Sequence, residues 1–426
     1  MRTLLVSANR ADAYMRTLPL GLLSVASAIS LDGHAVQVLD LMEAGDPFSA
    51  LASAITGFRP EVIGISLRNI DNQSMGRPRF FLDEDDQIIE RAKTLSGATV
   101  VLGGSGYSVF PEAILARSIA DMGIQGEGED SFRMLLKRLG TKQSLAGVPG
   151  LYVKGKGFQG GRSFGKDLDR FPLPEAALFS SGLARRADVC VPVQTRRGCP
   201  MACSYCSTAD IEGTAVRKRS PGRVVEWIAR LKEHGIEQFY FVDNTFNLPV
   251  TYAKALCREL ARARLGITWR CIVYPHKMDE SLARAMAEAG CVDASIGFES
   301  GCERILRSMN KRFLLKDVRR TCAFLGGHAI RRMGFLLIGG PGETHESIKE
   351  SLVFADSLDL ESMKITMGIR IYPHTPLAEH ARREGLISAD DDLLLPRFYM
   401  QPGLEALARE TILSFAASRR NWVVEA

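Results

Sequence analysis

Short apolar runs alternate with amphipathic segments along residues 1–143. Runs rich in Val, Ile and Leu favour buried strands, whereas apolar residues that recur every three to four positions favour helices. Strands in regular alternation with helices predict a parallel, doubly wound (Rossmann-like) sheet. The predicted strands are Thr3–Ala8, Ala35–Asp40, Val62–Leu67, Thr99–Leu102 and Met122–Gln125, and the helices between them include Gly21–Leu31, Phe48–Thr56 and Asp86–Leu95.

A segment rich in glycine and proline interrupts this alternation. Residues 144–186 show little periodicity, and one small hairpin is predicted within them at Leu151–Phe158. Low periodicity combined with many turn-forming residues indicates a linker between two domains.

A second alternation of strands and helices fills residues 187–378. It contains six β/α units, too few for a closed eight-stranded barrel. Residues 379–426 are predicted to add two or three short helices as a C-terminal cap, so that the whole chain belongs to the α/β class. The six predicted strands are Val189–Val193, Gln238–Asp243, Ile267–Tyr274, Ala294–Phe298, Arg332–Ile338 and Lys364–Ile371.

The composition is that of an ordinary globular protein. Of 426 residues, 46% are hydrophobic and 24% are charged, and the net charge of +5 arises from interspersed residues of both signs. We therefore expect no nucleic-acid partner. The N-terminal residues lack the features of a signal peptide, and no apolar run approaches the ~18 residues of a membrane span. Nine cysteines without the spacing of a disulfide framework indicate a reducing, cytoplasmic location.

Three of the cysteines carry the strongest chemical signal in the sequence. Cys199, Cys203 and Cys206 follow the spacing C-x3-C-x2-C on a loop bounded by glycine and proline. Because four cysteines are needed to close a [4Fe–4S] cluster by protein alone, three leave one iron open to a non-protein ligand, as a catalytic cluster requires. A zinc knuckle is the first alternative, but zinc requires four ligands, and no second cysteine pair lies nearby.

Three buried thiols are the second alternative for this loop. The other six cysteines are scattered singly in apolar or helical contexts, and we interpret them as small buried hydrophobic residues. They are Cys190, Cys257, Cys271, Cys291, Cys302 and Cys322.

The cysteine loop resembles that of the radical S-adenosylmethionine (SAM) superfamily, in which the open iron takes the amino and carboxylate groups of SAM. Tyr205, immediately before the third cysteine, fits the same family, and the six β/α units match its open partial barrel. The resemblance implies a [4Fe–4S] cluster, SAM as a cofactor, and an external electron donor such as flavodoxin or ferredoxin.

Polar residues end the second and fourth predicted strands of this barrel. Ligands of β/α barrels bind at the C-terminal ends of the strands. Asp243 and Asn244 end the second strand, where the family grips the SAM amino group, and Glu299 and Ser300 end the fourth, where they are placed to hold the ribose hydroxyls or the carboxylate. Taken alone, Asp243 also fits a helix N-cap.

The fifth and sixth strands lead into further candidate SAM contacts. Gly339 and Gly340 let the backbone approach a ligand closely, since they lack side chains. Arg370 and Tyr372 are expected near the adenine. In this family a basic residue after the cysteines often meets the SAM carboxylate, which makes Arg217–Arg219 candidates, with a solvated basic face as the alternative.

The N-terminal segments resemble the branch of this superfamily that pairs a cobalamin-binding domain with the barrel. The segments concerned are Leu18–Leu41, Val101–Glu112 and Gly123–Glu129. Ligands of doubly wound sheets bind outside the carboxyl ends of the strands. The resemblance therefore places the corrin near residues at those ends, namely Ser66, Leu67, Gly103, Gly104 and Glu127.

The loop after the first strand departs from the usual cobalamin motif D-x-H-x-x-G. Ser7–Met15 contains no histidine, so no histidine of this loop can ligate cobalt from below. Arg68, after the third strand, is our candidate for the residue that faces the lower side of cobalt, where it would disfavour a coordinating water. A salt bridge between Arg68 and Asp71 that holds the Asp71–Asp86 insertion is an equal alternative.

The resemblance implies a cobalamin-dependent methyltransferase that acts on an unactivated carbon, or less often a phosphorus, of a small molecule. The first alternative is a corrin-free radical SAM enzyme that transfers another SAM-derived group or rearranges its substrate, its first domain being a relic. The second alternative is a redox sensor. It is disfavoured because a sensor does not need polar residues at the strand ends arranged to bind SAM.

Overall fold

The computed structural model describes residues 1–11, 16–179, 186 and 189–425. It divides into two compact units: Met1–Asn72 with Phe80–Val189 and Thr208–Gly213, and Gln73–Arg79 with Cys190–Ser207 and Thr214–Ala426. The predicted linker thus falls within the first unit, and the domain boundaries given above stay predictions. Residues 12–15 of the Ser7–Met15 loop lie outside the described residues.

The first unit is a doubly wound sheet, which confirms the Rossmann-like prediction. Five parallel strands stand in the order β2-β1-β3-β4-β5, and the antiparallel hairpin β6-β7 extends the sheet beyond β5. The strands are β1 (Arg2–Ser7), β2 (Ala35–Asp40), β3 (Val62–Ser66), β4 (Thr99–Gly103), β5 (Met122–Ile124), β6 (Leu151–Val153) and β7 (Gly157–Phe158).

The helices of this unit bury apolar stripes against the sheet. Leu5, Ala26, Val62 and Leu135 belong to one core cluster, none of them more than 1% exposed. The helices are α1 (Leu20–Ser30), α2 (Pro47–Phe58), α3 (Leu82–Leu95), α4 (Ser105–Val109), α5 (Pro111–Arg117), α6 (Gly128–Gly140) and α7 (Thr208–Glu212), with 3-10 turns at Leu168–Arg170 and Ala176–Phe179.

The second unit is built on a seven-stranded parallel sheet with the order β18-β15-β14-β13-β12-β11-β8, and no closed barrel forms among the described residues. Two-stranded ribbons, β9-β10 and β16-β17, accompany it. Its strands are β8 (Val191–Val193), β9 (Arg196–Arg197), β10 (Arg217–Lys218), β11 (Gln238–Phe241), β12 (Thr268–Val273), β13 (Cys291–Glu299), β14 (Arg331–Ile338), β15 (Ser362–Met367), β16 (Ile369–Arg370), β17 (Phe398–Tyr399) and β18 (Trp422–Glu425).

Helices follow most strands of this sheet, as a parallel β/α arrangement requires. Apolar faces such as that of α9, with Ala253 and Leu256 fully buried, pack them against the unit. The helices are α8 (Pro221–Glu233), α9 (Val250–Ala263), α10 (Glu280–Glu288), α11 (Glu303–Ser308), α12 (Leu315–Gly327), α13 (His345–Asp356), α14 (Pro376–Arg383) and α15 (Glu405–Ala416).

The six predicted strands of the second unit are present, but the C-terminal segment is not purely a helical cap. It contains α15 and then β18, which pairs in parallel with β15 and becomes the edge strand of the sheet. Trp422 packs on Phe415 of α15 at 5.5 Å between ring centroids. A run of only four residues carries too little periodicity to be separated from the flanking helix by sequence.

Candidate active site

The cysteine loop lies between β9 and α7 of the chain, and its backbone is held in place by neighbouring segments. Gly198 and Ala202 adopt positive φ angles of 87° and 52°, which shape the turn around Cys199. Asn310 donates from Nδ2 to the Ala202 carbonyl at 2.6 Å, and the Ser204 amide donates to the Met309 carbonyl at 3.1 Å. Met309 and Asn310, the two residues that follow α11, thus hold the backbone of the cysteine loop in place.

The three thiols differ in exposure but share a loop that fits a cluster. Cys199 and Cys203 are half-buried, Cys206 is exposed, and none of them forms a disulfide. Among the residues that the structure describes, no three His, Cys, Asp or Glu side chains converge on one metal ion. Cysteines that each ligate a different iron of a cubane need no such common point, so the donor set fits a [4Fe–4S] cluster.

A buried ion pair anchors the segment that precedes this loop. Asp243, at the end of β11, accepts hydrogen bonds from the Thr195 amide at 2.7 Å and from the Arg196 amide at 2.8 Å. Its other oxygen accepts from Thr195 Oγ1 at 2.6 Å and from Arg196 Nη2 at 2.8 Å. Both oxygens of Asp243 are therefore engaged within the protein, and the side chain is 1% exposed.

Arg196 completes this anchor. Its Nη1 donates to the Phe246 carbonyl at 2.5 Å, and its guanidinium lies 5.1 Å from the Phe246 ring centroid and 4.8 Å from that of Tyr252. The structure thus corrects the predicted role of Asp243 as a SAM ligand, because a saturated, buried carboxylate has no acceptor left for an ammonium. Asp243 instead positions the residues that lead to Cys199.

Glu299 lies at the centre of a second charged group. A β-bulge interrupts the pairing of β13 with β14 between Gly297 and Glu299, and Glu299 has a φ of 63°. Its Oε1 accepts a hydrogen bond from the Tyr205 hydroxyl at 3.0 Å and lies 3.1 Å from Lys311 Nζ. The strained backbone turns this carboxylate toward the cysteine loop.

Lys311 is the residue of this group that sequence reasoning missed. Its side chain is 5% exposed, and its Nζ lies 5.2 Å from the Tyr205 ring centroid. Although burial disfavours the ammonium, the Glu299 carboxylate raises the pKa of Lys311 well above its usual range. Burial raises the pKa of Cys203, and Lys311 opposes that rise. The sequence of the segment Met309–Arg312 does not distinguish Lys311 from an ordinary exposed lysine.

Several predicted SAM contacts serve packing instead. Ser300 is fully buried, and its Oγ lies 3.0 Å from Ser351 Oγ and accepts from the Cys302 amide at 3.1 Å. The Arg370 guanidinium donates to the Ile371 carbonyl at 2.6 Å and to the Leu393 carbonyl at 2.8 Å, so it clamps the C-terminal segment. Both side chains are thus occupied by hydrogen bonds within the protein, and their roles as SAM contacts stay predictions.

The two glycines after β14 are also explained by packing. A Cβ on Gly339 would lie 2.2 Å from Met400 Sδ, and one on Gly340 would lie 3.0 Å from Met309 Cε. Of the remaining candidates, Asn244 and Tyr372 are half-buried. In the basic triplet, Arg217 and Arg219 are buried, whereas Lys218 is exposed.

The carboxyl edge of the first sheet carries the residues assigned to cobalamin. A Cβ on Gly103 would meet only the Ile124 carbonyl at 3.8 Å, so the space above it is open. A Cβ on Gly104 would lie 2.6 Å from the Leu67 carbonyl, so this glycine is required by its own loop. Ser66 is half-buried, Leu67 is fully buried, and Glu127 accepts a hydrogen bond from the Gly165 amide at 2.9 Å.

The same edge carries a buried polar atom without a partner and an exposed arginine. Asn9, at the end of β1, is 9% exposed, and its Nδ2 has no hydrogen-bond partner among the described residues. Arg68 is exposed, and it forms no ion pair with Asp71 among the described residues. A backbone bridge between Asp71 and Phe80 closes the insertion instead.

The six remaining cysteines are buried, as expected. Burial raises the pKa of Cys257 and that of Cys271 above the usual range of a thiol. Neutral, buried thiols behave as small hydrophobic groups.

Among the residues that the structure describes, no helix has both the length and the apolar character of a membrane span.

Comparison with known proteins finds a matching family model for part of each unit. The family model "Radical SAM superfamily" matches residues 193–355, and the model "B12 binding domain" matches residues 6–136. An uncharacterised methyltransferase of Pyrococcus horikoshii is 28% identical over 415 residues, which cover 93% of this chain and 87% of that protein. The tryptophan 2-C-methyltransferase of Streptomyces laurentii is 25% identical over 85% of this chain and 71% of that protein.

The fold is also shared with a solved structure. The radical SAM methyltransferase TsrM of Kitasatospora setae, solved with cobalamin and a [4Fe–4S] cluster, superposes with a TM-score of 0.87 at 21% identity, covering 99% of this chain and 91% of that one. The chain described here is therefore an enzyme that combines an N-terminal B12-binding domain with a radical SAM domain.

Proposed function

We propose that this enzyme is a cobalamin-dependent radical SAM methyltransferase that methylates an unactivated carbon, or less often a phosphorus, of a small molecule. The observation that carries the proposal is the presence in one chain of an open-site cysteine loop and a B12-binding sheet whose carboxyl edge offers open space at Gly103 and an unpaired Arg68. When bound, the cluster, SAM and cobalamin would supply a reductively generated radical and a transferable methyl group.

The residues of the second unit would divide the work of holding the cluster and SAM. Cys199, Cys203 and Cys206 would hold the cluster. The charged side chains beside the cluster would be held in place by their contacts with one another, which join Glu299 to Tyr205 and Lys311. Asn244 and Tyr372, both half-buried, remain the candidates for SAM contacts at the strand ends.

Arg68 would act in the first unit by keeping the lower face of cobalt free of ligands. It has no ion pair among the described residues, so its cation is available to a ligand at the carboxyl edge of the sheet. A guanidinium has donors but no lone pair with which to coordinate a metal. It can therefore occupy the position of a lower ligand and disfavour water there without itself binding cobalt.

The remaining parts of the proposal concern partners and location. An external donor such as flavodoxin or ferredoxin would reduce the cluster, since the chain shows only three cysteines with cluster spacing. The interspersed charge favours a small-molecule substrate over a nucleic acid. Nine cysteines and an oxygen-sensitive cluster favour a reducing cytoplasm.

The products of SAM distinguish this proposal from the corrin-free alternative. The anaerobically reconstituted chain is incubated with SAM and a reductant, with and without added cobalamin. We expect S-adenosylhomocysteine to form only when cobalamin is present, because the methyl group needs an acceptor. Cleavage of SAM to 5′-deoxyadenosine that is indifferent to cobalamin, with no S-adenosylhomocysteine, would favour the corrin-free enzyme instead.

A further inference from the structure

Three polar side chains meet on neighbouring strands at the edge of the second sheet. Lys364 Nζ lies 3.1 Å from Glu425 Oε2, and Thr366 Oγ1 donates to the same oxygen at 3.4 Å. Lys364 and Thr366 lie on β15, and Glu425 lies on β18 directly opposite Thr366 in the parallel register. We call these three residues the edge cluster.

The edge cluster occupies the face of the sheet that is turned away from the helices. On β15 the alternate residues Met363, Ile365 and Met367 are at most 1% exposed, which is expected for the helix-covered side. Trp422 of β18 packs on helix α15. Because successive side chains of a strand alternate between faces, Lys364, Thr366 and Glu425 point to the opposite, interior face.

The strand register places the edge cluster within one residue of the height of Glu299. Across the bulge Glu299 pairs with Leu336, and Leu336 is level with Ile365 of β15. Glu425 is level with Thr366, one residue further toward the carboxyl end of the sheet. Three strand spacings separate Glu299 from Glu425, a span of roughly 14 Å across the interior face, which accommodates a small molecule.

One oxygen of the edge cluster lacks a partner. Glu425 Oε2 receives both Lys364 and Thr366, whereas Oε1 is buried and has no hydrogen-bond partner among the described residues. Burial raises the pKa of Glu425 to about 7. Buried acceptors without donors are rare in native proteins, because an unsatisfied group forfeits its hydration.

We propose that the edge cluster is the anchor for an amino group of the substrate, with Glu425 Oε1 accepting its N–H. A carboxylate only accepts hydrogen bonds, so it selects donors, and a protonated nitrogen gives the strongest such bond. Lys364 already holds the second oxygen and keeps the carboxylate oriented. This inference rests on the proposed function, since it takes the interior face as the substrate site.

The test compares three probes of one shape: phenethylamine, 2-phenylethanol and 3-phenylpropionate. Their dissociation constants are measured by ligand-observed NMR on the reconstituted, cobalamin-loaded chain. We expect the amine to bind at least about tenfold more tightly than the alcohol, the range of a charge-assisted hydrogen bond, and the acid to bind most weakly. In Glu425→Gln this preference should fall below about threefold, because the neutral amide has lost the charge.

Glu361→Gln is the matched control. Glu361 pairs with Arg332 at 2.8 Å just before the start of β15, at the opposite end of the strand, so its loss should leave the amine preference unchanged. Thr366→Val provides a second variant that keeps the charge and weakens only the orientation of Glu425, and we expect an intermediate preference.

Two results would overturn the inference. Equal affinities of amine and alcohol for the unmodified chain, or no binding of the amine, would show that Glu425 anchors no amino group. A preference that survives in Glu425→Gln would show that the edge cluster only joins β18 to β15. Cobalamin retention and iron content are measured on the same samples. If both are intact, the failure belongs to this inference, whereas loss of both would count against the proposed function.

Discussion

Lys311 Nζ and the Tyr205 hydroxyl both bind the same oxygen of Glu299, at 3.1 Å and 3.0 Å. This arrangement connects the cysteine loop, the end of β13 and the segment after α11 through one carboxylate. Lys311 and Glu299 are 5% and 14% exposed, so the pair is largely shielded from solvent. A buried cation beside Cys203 is expected to affect the cluster that the loop holds.

Replacement of Lys311 tests this electrostatic role. Lys311 interacts electrostatically with Cys203, so removing its charge should lower the reduction potential of the cluster, by ~50–100 mV at an effective dielectric constant of ~20. We therefore expect Lys311→Met to lower the potential measured by an EPR-monitored redox titration, while Lys311→Arg restores most of it. The exposed Lys218→Met is the control and should leave it unchanged. Equal potentials in Lys311→Met and the unmodified chain would refute the role.

Iron content identifies the cluster ligands. Each of Cys199→Ala, Cys203→Ala and Cys206→Ala should abolish cluster assembly, because two thiolates cannot hold a cubane. Cys322→Ala should leave the cluster intact, since Cys322 is 3% exposed and lies on the buried face of α12. The check is iron analysis after anaerobic reconstitution, expected near four irons per chain. Full loading of any of the three loop variants would mean that the ligands are misassigned.

Asp243 and Asp279 form ion pairs of similar length in very different surroundings. The Asp243–Arg196 pair is 0–3% exposed, whereas Asp279 is 48% exposed and lies 2.7 Å from Lys254. Breaking a buried pair costs about 3–5 kcal/mol, an exposed one about 0–1 kcal/mol. Asp243→Asn should therefore lower the unfolding midpoint in urea and reduce cluster retention.

Asp279→Asn is the control for that change, because asparagine keeps the N-cap of α10 while removing the charge. It should change neither the midpoint nor the iron content appreciably. An Asp243→Asn protein with unaltered cluster retention would mean that the Asp243–Arg196 pair does not position the cysteine loop.

Asp85 makes the stability of the first unit depend on pH. The side chain is buried in α3, and burial raises its pKa to about 8 even though Arg10 opposes the rise. The folded chain thus holds a proton that the unfolded chain releases near pH 4. The contribution of Asp85 to stability should be greatest below that pH and should fall as pH rises toward 8.

Asp85→Asn removes this dependence, because asparagine cannot ionise. We expect the variant to match the unmodified chain near pH 4 and to exceed its unfolding free energy by about 4–5 kcal/mol near pH 8, at ~1.36 kcal/mol for each unit of pKa. Asp83→Asn, on the same helix but with a side chain 67% exposed, should show no such crossover. Parallel pH profiles for Asp85→Asn and the unmodified chain would be inconsistent with a buried, protonated Asp85.

The order of elements was accessible from sequence because it depends on periodicity. The five parallel strands of the first sheet, the hairpin at its edge and the six strands of the second sheet all follow apolar runs bounded by turns. β18 was not predicted, because four residues that follow a helix are too few to show the two-residue alternation of a strand. Its place at the sheet edge is decided by the packing of Trp422 on α15.

Side-chain roles at the strand ends were predicted less well. Glu299 is the last residue of β13, and Asp243 lies two residues after the end of β11. Only Glu299 faces the cysteine loop, because a bulge and a positive φ turn it there. Asp243 is held by Thr195 and Arg196, which precede the cysteines by a few residues. Sequence shows that a carboxylate ends a strand, but it does not show which donors reach it first.

The visible spectrum of the chain after reconstitution with hydroxocobalamin and gel filtration tests the central claim most directly. We predict that cobalamin is retained and that its spectrum is that of a base-off form without a histidine nitrogen, because Ser7–Met15 has no histidine and Arg68 cannot coordinate. Arg68→Ala should keep cobalamin but admit water to the lower face. Loss of all cobalamin during filtration, or a spectrum with a bound histidine nitrogen, would contradict the account.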